Sequence, residues 1–404
     1  MSQHRFTIVG GGLVGLGSAY RLQQAFPDAS VTVLEKEPGV CRHQSGHNSG
    51  VLHCGLYYKP GSLKAQMAVT GIRQMVAFCQ EHNIPHDVCG KLVVATSEEE
   101  VARLKDLHQR GTQNGLEGLV WMDRAQFREI EPHAGGIAAL RVPQEGIVDY
   151  PAVADTLVRL IQARNGRVVL NAKVTALRQI PTGWVAQTPA GDFESTFLIN
   201  CAGLHSDLIA QLTGQPREVH IVPFRGEYYK IRRERETLVR HLIYPVPDPK
   251  FPFLGVHYTR MIHGGVECGP NAVLAFRREG YKKSDIHIPE LWDALTFPGL
   301  WRFLARYPRM CFDEMRRSFS KQLFCESLQR LVPEITIDDL EEGGAGVRAQ
   351  AMNPSGDLVQ DFHFVHGPRV LHVVNAPSPG ATSSLAIGQE ITDRTTNQIK
   401  TSNF

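Results

Sequence analysis

Residues 6–35 carry the pattern that most limits what this chain can fold into. An apolar strand (Phe6, Ile8, Val9) runs into Gly10-Gly11-Gly12-Leu13-Val14-Gly15. A helical stretch follows over 13–25, and a second strand over 31–34 ends on Glu35, with Lys36 next to it. Each part has a physical reason. Gly10 permits a tight turn, Gly12 lets a pyrophosphate approach the backbone, and Gly15 lets the helix pack close to the sheet. The helix N-terminus offers unpaired N–H groups and a partial positive charge. Glu35 lies about 20 residues past Gly15, where an acid bonds the ribose hydroxyls of an adenine dinucleotide and would repel the 2′-phosphate of NADP. A lone Gly-x-Gly-x-x-Gly says little. With a strand before it, a helix after it and an acid closing the second strand, it predicts a dinucleotide-binding unit.

The chain is 404 residues long, enough for two or three domains with sizeable cores. A formal net charge of +2 argues against nucleic-acid binding as the primary role. No apolar run approaches the ~20 residues that span a bilayer. The first strand starts too early to leave room for a signal peptide, so a cytoplasmic protein is expected; an organellar matrix protein whose transit peptide was removed would read the same. Eight cysteines with no C-x-x-C spacing read as reduced, mostly buried thiols.

After Glu35 comes Cys41-Arg42-His43-Gln44-Ser45-Gly46-His47-Asn48-Ser49-Gly50-Val51-Leu52-His53-Cys54-Gly55, a loop dense in glycine and hydrogen-bonding side chains. Such loops rarely serve connection alone. Its three histidines lack the spacing and the neighbouring acids of a metal site, so no metal is expected. They suit a loop wrapped round a pyrophosphate and flavin ring through Gln44, Ser45, His47, Asn48, Ser49 and Gly50, with one histidine reaching the reactive centre. His43 reads as a loop histidine satisfied by backbone carbonyls.

Helices are expected over 57–81, 98–114 (opened by Ser97) and 123–131 (capped by Asp123), with strands over 88–96 and 137–142. Segments 168–170, 172–178, 183–187 and 191–195 alternate and read as an antiparallel meander. The apolar Phe197-Leu198-Ile199-Asn200 returns to a buried parallel sheet and stops at Cys201-Ala202-Gly203 before a helix over 205–213. Strands over 219–231, 242–244, 254–259 and 265–270 form a second sheet, its connections rich in proline (Pro245, Pro247, Pro249, Pro252). The helical stretch 291–319 is aromatic (Trp292, Phe297, Trp301, Phe303, Tyr307, Phe312) with interspersed arginines. It reads as a domain-packing helix pair with solvated arginine ends, the alternative being a peripheral membrane patch. Residues 343–348 and 370–376 bracket a return to the first domain. The last strand enters Pro377-Ser378-Pro379-Gly380-Ala381-Thr382-Ser383-Ser384, which opens a helix over 385–399. The expected architecture is α/β (α+β). A Rossmann-like domain of residues 1–80, 145–215 and 343–404 is joined to a mainly antiparallel substrate domain of residues 81–144 and 216–342.

A dinucleotide fold interrupted twice and completed by the C-terminal strand and helix is typical of flavoenzymes. Seven segments then carry a resemblance over nearly the whole chain. They are His43-Gln44-Ser45-Gly46-His47-Asn48-Ser49-Gly50-Val51-Leu52-His53, Val222-Pro223-Phe224-Arg225-Gly226-Glu227-Tyr228, Tyr244-Pro245-Val246-Pro247-Asp248, Pro252-Phe253-Leu254-Gly255-Val256-His257, Gly269-Pro270-Asn271-Ala272-Val273-Leu274-Ala275-Phe276, Ala345-Gly346-Val347-Arg348-Ala349-Gln350 and Asn375-Ala376-Pro377-Ser378-Pro379. On these the chain resembles L-2-hydroxyglutarate dehydrogenases (oxidases) of the D-amino-acid-oxidase/glycerol-3-phosphate-dehydrogenase superfamily. The resemblance implies FAD and oxidation of L-2-hydroxyglutarate to 2-oxoglutarate. It also implies electrons passing to a membrane quinone, an electron-transfer partner or oxygen.

Taking a hydride from C2 of a 2-hydroxy acid needs an acceptor, a base for the hydroxyl proton, and cations that hold the carboxylates. His53, at the inner end of the loop, is the first candidate base and His257 the second. Some superfamily members attach flavin through a histidine in this loop, which gives His53 a rival role. Arg225 and Arg348, read as lying in polar turns, are the candidate carboxylate anchors, with Arg260, Tyr244 and Asn271 as weaker ones; a structural ion pair is the competing reading of each arginine. Val174, Ala202 and Gly203 are further candidates for the cofactor, as are Pro379, Gly380, Ala381 and Thr382. By resemblance, the helix N-terminus after Gly380 would face negative charge growing at flavin N1/O2. Competing readings are an amino-acid or amine oxidase, a glycerol-3-phosphate-type dehydrogenase, and a flavoprotein-fold binding module that has lost its cofactor.

Overall fold

The computed structural model describes residues 4–249 and 254–401, so Pro252 and Phe253 of the matching segments lie outside the described residues. Strand Arg5–Val9 is parallel to Ser30–Leu34 on one side and to Phe197–Asn200 on the other. These form a six-stranded sheet in the order His363–Gly367, Val370–Asn375, Phe197–Asn200, Arg5–Val9, Ser30–Leu34, Arg167–Val169. Only the edge strand His363–Gly367 runs antiparallel to its neighbour. Successive side chains of these strands alternate between two layers. Phe6, Ile8, Val31, Val33, Phe197 and Ile199 pack with helices Leu13–Ala25, Tyr150–Ala163 and Ser384–Thr401. Val9, Leu34, Leu198 and Val370 pack on the other side against Trp184 and Ala186 of the meander.

Several expected boundaries move, each for a local reason. Residues 168–170 are not part of the meander: Arg167–Val169 pairs parallel with Ser30–Leu34. The antiparallel meander is Ala176–Ile180, Gly183–Thr188 and Gly191–Ser195. The helix expected from 57 starts at Leu63, where the Ser62 side chain accepts the Ala65 N–H. The stretch 291–319 is three helices, Ile288–Thr296, Pro298–Arg306 and Pro308–Phe319, because Pro298 and Pro308 lack the N–H that would continue each turn.

Among the described residues, the second sheet has nine strands. His220–Ile231, Val266–Gly269, His257–Arg260, Leu242–Pro245, Lys91–Ala95, Ala138–Val142 and Val120–Asp123 lie in that order. Leu340–Met352 runs antiparallel to His220–Ile231 along almost its whole length. The expected return to the first domain at 343 therefore cuts through a strand of this sheet; the chain rejoins the six-stranded sheet at the antiparallel edge strand His363–Gly367 and its parallel part at Val370. Another small sheet, with Gly146–Val148 paired to both Val51–Leu52 and His86–Asp87, ties the loop after Glu35 to the segment before Tyr150. Among the described residues, no helix is long and apolar enough to cross a membrane.

Candidate functional site

Three chain turns face one cavity of about 1150 Å³, lined by Gly10, Gly12, Leu13 and Val14, by Ala202 and Gly203, and by Pro379, Gly380, Ala381 and Thr382. Gly10 has φ +112°, and a Cβ there would stand 2.4 Å from the Cys201 carbonyl oxygen, so only glycine fits. Gly15 does not line the cavity. A Cβ on it would stand 2.0 Å from the Gly10 oxygen, so it closes the turn. No acid lies in the first turn of Leu13–Ala25, and Ser45 Oγ accepts the Leu13 N–H at 3.0 Å. The buried Glu35 carboxylate accepts the Gly11 N–H at 2.7 Å and the Glu37 N–H at 2.9 Å and borders the same cavity. Amides for a pyrophosphate, a carboxylate for ribose hydroxyls and a cavity of this volume make a donor set that fits FAD.

Gln44, Ser45, His47, Asn48, Ser49 and Val174 also line the cavity; Gly50 does not. Asn48 organises the loop, donating to the Gln44 and Ser45 carbonyls and accepting the Gly50 N–H. His47 stacks on Tyr281 at 4.1 Å. Lys36 contacts Glu37 and lies 2.7 Å from Glu279, with His43 Nε2 at 2.8 Å. His43 is thus held by side chains, Tyr281 Oη included, and not by backbone carbonyls. Burial alone would raise Glu279, but hydrogen bonds to His205 and Lys36 hold it down at about 2.

The same cavity is also lined by His53, His257, Tyr244, Tyr228 and Arg348. The His53 N–H donates to Thr382 Oγ1, and that oxygen also lies 2.6 Å from Tyr150 Oη, tying the first loop to the closing turn. His53 Nδ1 lies 3.5 Å from Glu145 Oε2, and the same oxygen is 2.6 Å from Lys91 Nζ. Glu145 and Lys91 are fully buried. Burial pushes Glu145 up, yet Lys91 and His53 together hold it below the usual carboxylate range. His257 lies 3.9 Å from Tyr244, ring on ring, and donates Nδ1–H to the Gly255 carbonyl at 2.9 Å, which leaves Nε2 bare. Burial, reinforced by Arg348, His53 and Lys91, pushes His257 down to about 3.

Three expected anchors are elsewhere. Arg225 gives Nε and Nη2 to Glu227 and Nη1 to the Lys282 carbonyl, and Asn271 serves the same Glu227. Arg260 pairs with Asp87. None of the three borders the cavity. Nor do Arg225 and Arg348 lie in turns. They occupy adjacent long strands in which Phe224 faces Arg348 and Arg225 faces Val347, so the two arginines project to opposite sides of the sheet. Glu145 and Lys91 were missed. The signal was there: Lys91 is a lone charge opening an otherwise apolar strand, Lys-Leu-Val-Val-Ala.

The model of the family "DAO: FAD dependent oxidoreductase" matches residues 5–394. The chain belongs to that family. The L-2-hydroxyglutarate dehydrogenase of Indibacter alkaliphilus is 51% identical over 382 residues, 94% of this chain and 96% of that protein. The protein of the same name from Escherichia coli K12 is 44% identical, covering 96% and 92%, and the human mitochondrial one 42%, covering 97% and 88%. Among solved structures, the reduced, FAD-bound L-α-glycerophosphate oxidase of Mycoplasma pneumoniae matches with TM-score 0.76 at 23% identity over 98% of this chain and 95% of its own. Glycine oxidase of Geobacillus kaustophilus matches with TM-score 0.72 at 18% identity, covering 98% and 96%. At those identities the likeness is one of fold. The enzyme is an FAD-dependent oxidoreductase.

Proposed function

We propose that the enzyme oxidises L-2-hydroxyglutarate to 2-oxoglutarate, with the parallel-sheet domain holding FAD and the nine-stranded sheet presenting the substrate. Relatives of that name at 41–51% identity support the substrate. The observation that carries the chemistry is the meeting of two histidines and Arg348 in the same cavity that the dinucleotide donor set lines. Bound there, FAD supplies the two-electron acceptor for the hydride leaving C2. His53 takes the hydroxyl proton. His257 is the weaker base, since its burial disfavours the protonated form. Arg348 binds a substrate carboxylate, and Tyr244 and His257 form an aromatic wall that orients C2. Gly10, Gly12, Leu13 and Val14, Glu35 and the loop residues Gln44, Ser45, His47, Asn48 and Ser49 would hold the nucleotide and pyrophosphate, and the turn 379–382 would face the flavin ring.

For electron transfer we propose a quinone in a lipid surface. The helices from Ile288 to Phe319 expose Trp292, Trp301, Phe312 and Phe319 among arginines, which supports peripheral contact. The deciding experiment is anaerobic mixing with each enantiomer of 2-hydroxyglutarate. Bleaching of the flavin by the L form alone is expected; bleaching by glycine, sarcosine or glycerol 3-phosphate instead would replace this reading.

A further inference from the structure

Behind His53 lies a charge cluster that the reaction as so far described does not use. Leu52 pairs with Gly146 across the small antiparallel sheet, so the next residues outward, His53 and Glu145, leave it side by side. Glu145 Oε1 accepts from the Cys54 N–H at 3.2 Å and lies 3.3 Å from Cys54 Sγ, while Oε2 lies 2.6 Å from Lys91 Nζ and 3.5 Å from His53 Nδ1. The Lys91 ammonium sits 4.4 Å from the Tyr57 ring centroid and 4.7 Å from that of Tyr244. Both rings border the cavity, whereas Lys91 and Glu145 do not. A buried ion pair is no more stabilising than a well-packed apolar pair of the same volume, so stability alone does not account for it.

We propose that Glu145 and Lys91 are positioning residues for His53: the carboxylate holds the Nδ1 proton so that bare Nε2 faces the substrate hydroxyl, and the ammonium fixes the carboxylate beside the ring and shares its charge. This rests on His53 being the base. In the step, the substrate O–H bond breaks and an Nε2–H bond forms. The oxygen's electron pair becomes the second C–O bond as C2 loses its hydride to FAD. A carboxylate beside Nδ1 stabilises the imidazolium that forms in the step, and the Lys91 ammonium offsets part of that carboxylate's charge. The other titratable groups facing the cluster, Cys54, Tyr57, Tyr58, Tyr150, Tyr244 and His257, are held uncharged by burial, and Arg348 acts on His257. Lys91 and Glu145 are therefore the charges nearest the base.

The test is the pH profile of kcat/KM with L-2-hydroxyglutarate for the wild-type holoenzyme, Lys91→Met, and Lys91→Met/Glu145→Gln. Lys91→Met is expected to move the acid limb about one unit or more to higher pH, because Glu145 then acts on His53 alone, and the double variant is expected to move it back. An acid limb for Lys91→Met that coincides with the wild type, or with the double variant, overturns the proposal. Should Lys91→Met fail to hold FAD, the ring ¹⁵N spectrum of the unaltered holoenzyme decides, with His53 assigned by its loss in His53→Gln. An Nδ1–H tautomer is expected, and Nε2–H overturns the pairing. Undiminished kcat in His53→Gln would remove the base itself, an outcome separate from a silent Lys91 or Glu145.

Discussion

Arg225 and Arg348 belong to similar sequence contexts and end on opposite faces of one sheet, and the difference lies two residues away. Arg225 is followed at i+2 by Glu227, and alternation along a strand puts both on one side, where they pair at 2.9 Å. Arg348 has no acid at that spacing and faces the cavity beside His257 and Tyr228. Charge reversal by Arg348→Glu is therefore expected to abolish binding of dicarboxylate inhibitors such as succinate, with a loss of about 100-fold or more, while FAD content stays full. Titration of the flavin spectrum with inhibitor measures it; an unchanged Kd would move the anchor elsewhere. Glu35→Lys is expected to act on flavin binding instead. It removes the ribose acceptor and leaves the Gly11 and Glu37 amides without their partner, so the protein should purify largely without the ~450 nm flavin band. Full flavin occupancy in that variant would refute the ribose role. Local spacing made the glycines and Glu35 legible, because their chemistry lies within 30 residues. Glu145 and Lys91 are 54 positions apart and meet only through sheet pairing, so no local pattern announces them.

At the scale of elements, the nucleotide site depends on how closely two helices cross. Helices Leu13–Ala25 and Ser384–Thr401 touch backbone to backbone: a Cβ on Gly388 would stand 2.5 Å from the Gly17 carbonyl oxygen, and one on Gly17 would stand 2.6 Å from that of Ser384. The first helix starts at the pyrophosphate turn and the second just after the turn 379–382, so their spacing sets the distance between the two turns across the cavity. Gly388→Leu is expected to cost about 3 kcal/mol or more by overpacking and to lower flavin occupancy as the turns move apart. Gly344→Ala, at a position where a Cβ meets nothing within 4 Å, is the control and should stay within about 0.5 kcal/mol of wild type. Thermal unfolding and flavin absorbance measure both. Equal stability of the two variants would mean that the crossing is not constrained. The strand–turn–helix units were legible because their periodicity is local. The long strand Leu340–Met352 was split by the expected domain boundary because its partner, His220–Ile231, is over 100 residues earlier.

On the whole molecule, one run of helices concentrates exposed aromatic side chains. Trp292 is 68% exposed, Trp301 56%, Phe312 64% and Phe319 75%, all on the three proline-started helices, with Arg302, Arg306, Arg309 and Arg316 exposed among them. The sequence favoured burial of these rings against a second domain. The breaks at Pro298 and Pro308 instead turn each helix, so part of the aromatic set faces solvent while Phe297 and Phe303 fill the core beneath. Large amphipathic rings between cations match an anionic lipid surface, where each arginine near the surface contributes about 1 kcal/mol and the rings enter the headgroup boundary. The enzyme is expected to cosediment with phosphatidylserine-containing vesicles, to be released as salt rises through about 0.5 M, and to show a blue shift of tryptophan emission on binding. Arg309→Glu/Arg316→Glu should weaken that binding by about 100-fold, since two cations become two anions, without altering turnover with a soluble dye. Equal binding to neutral vesicles would remove the electrostatic half of the argument. Absence of binding to either kind would return the face to a contact with another protein.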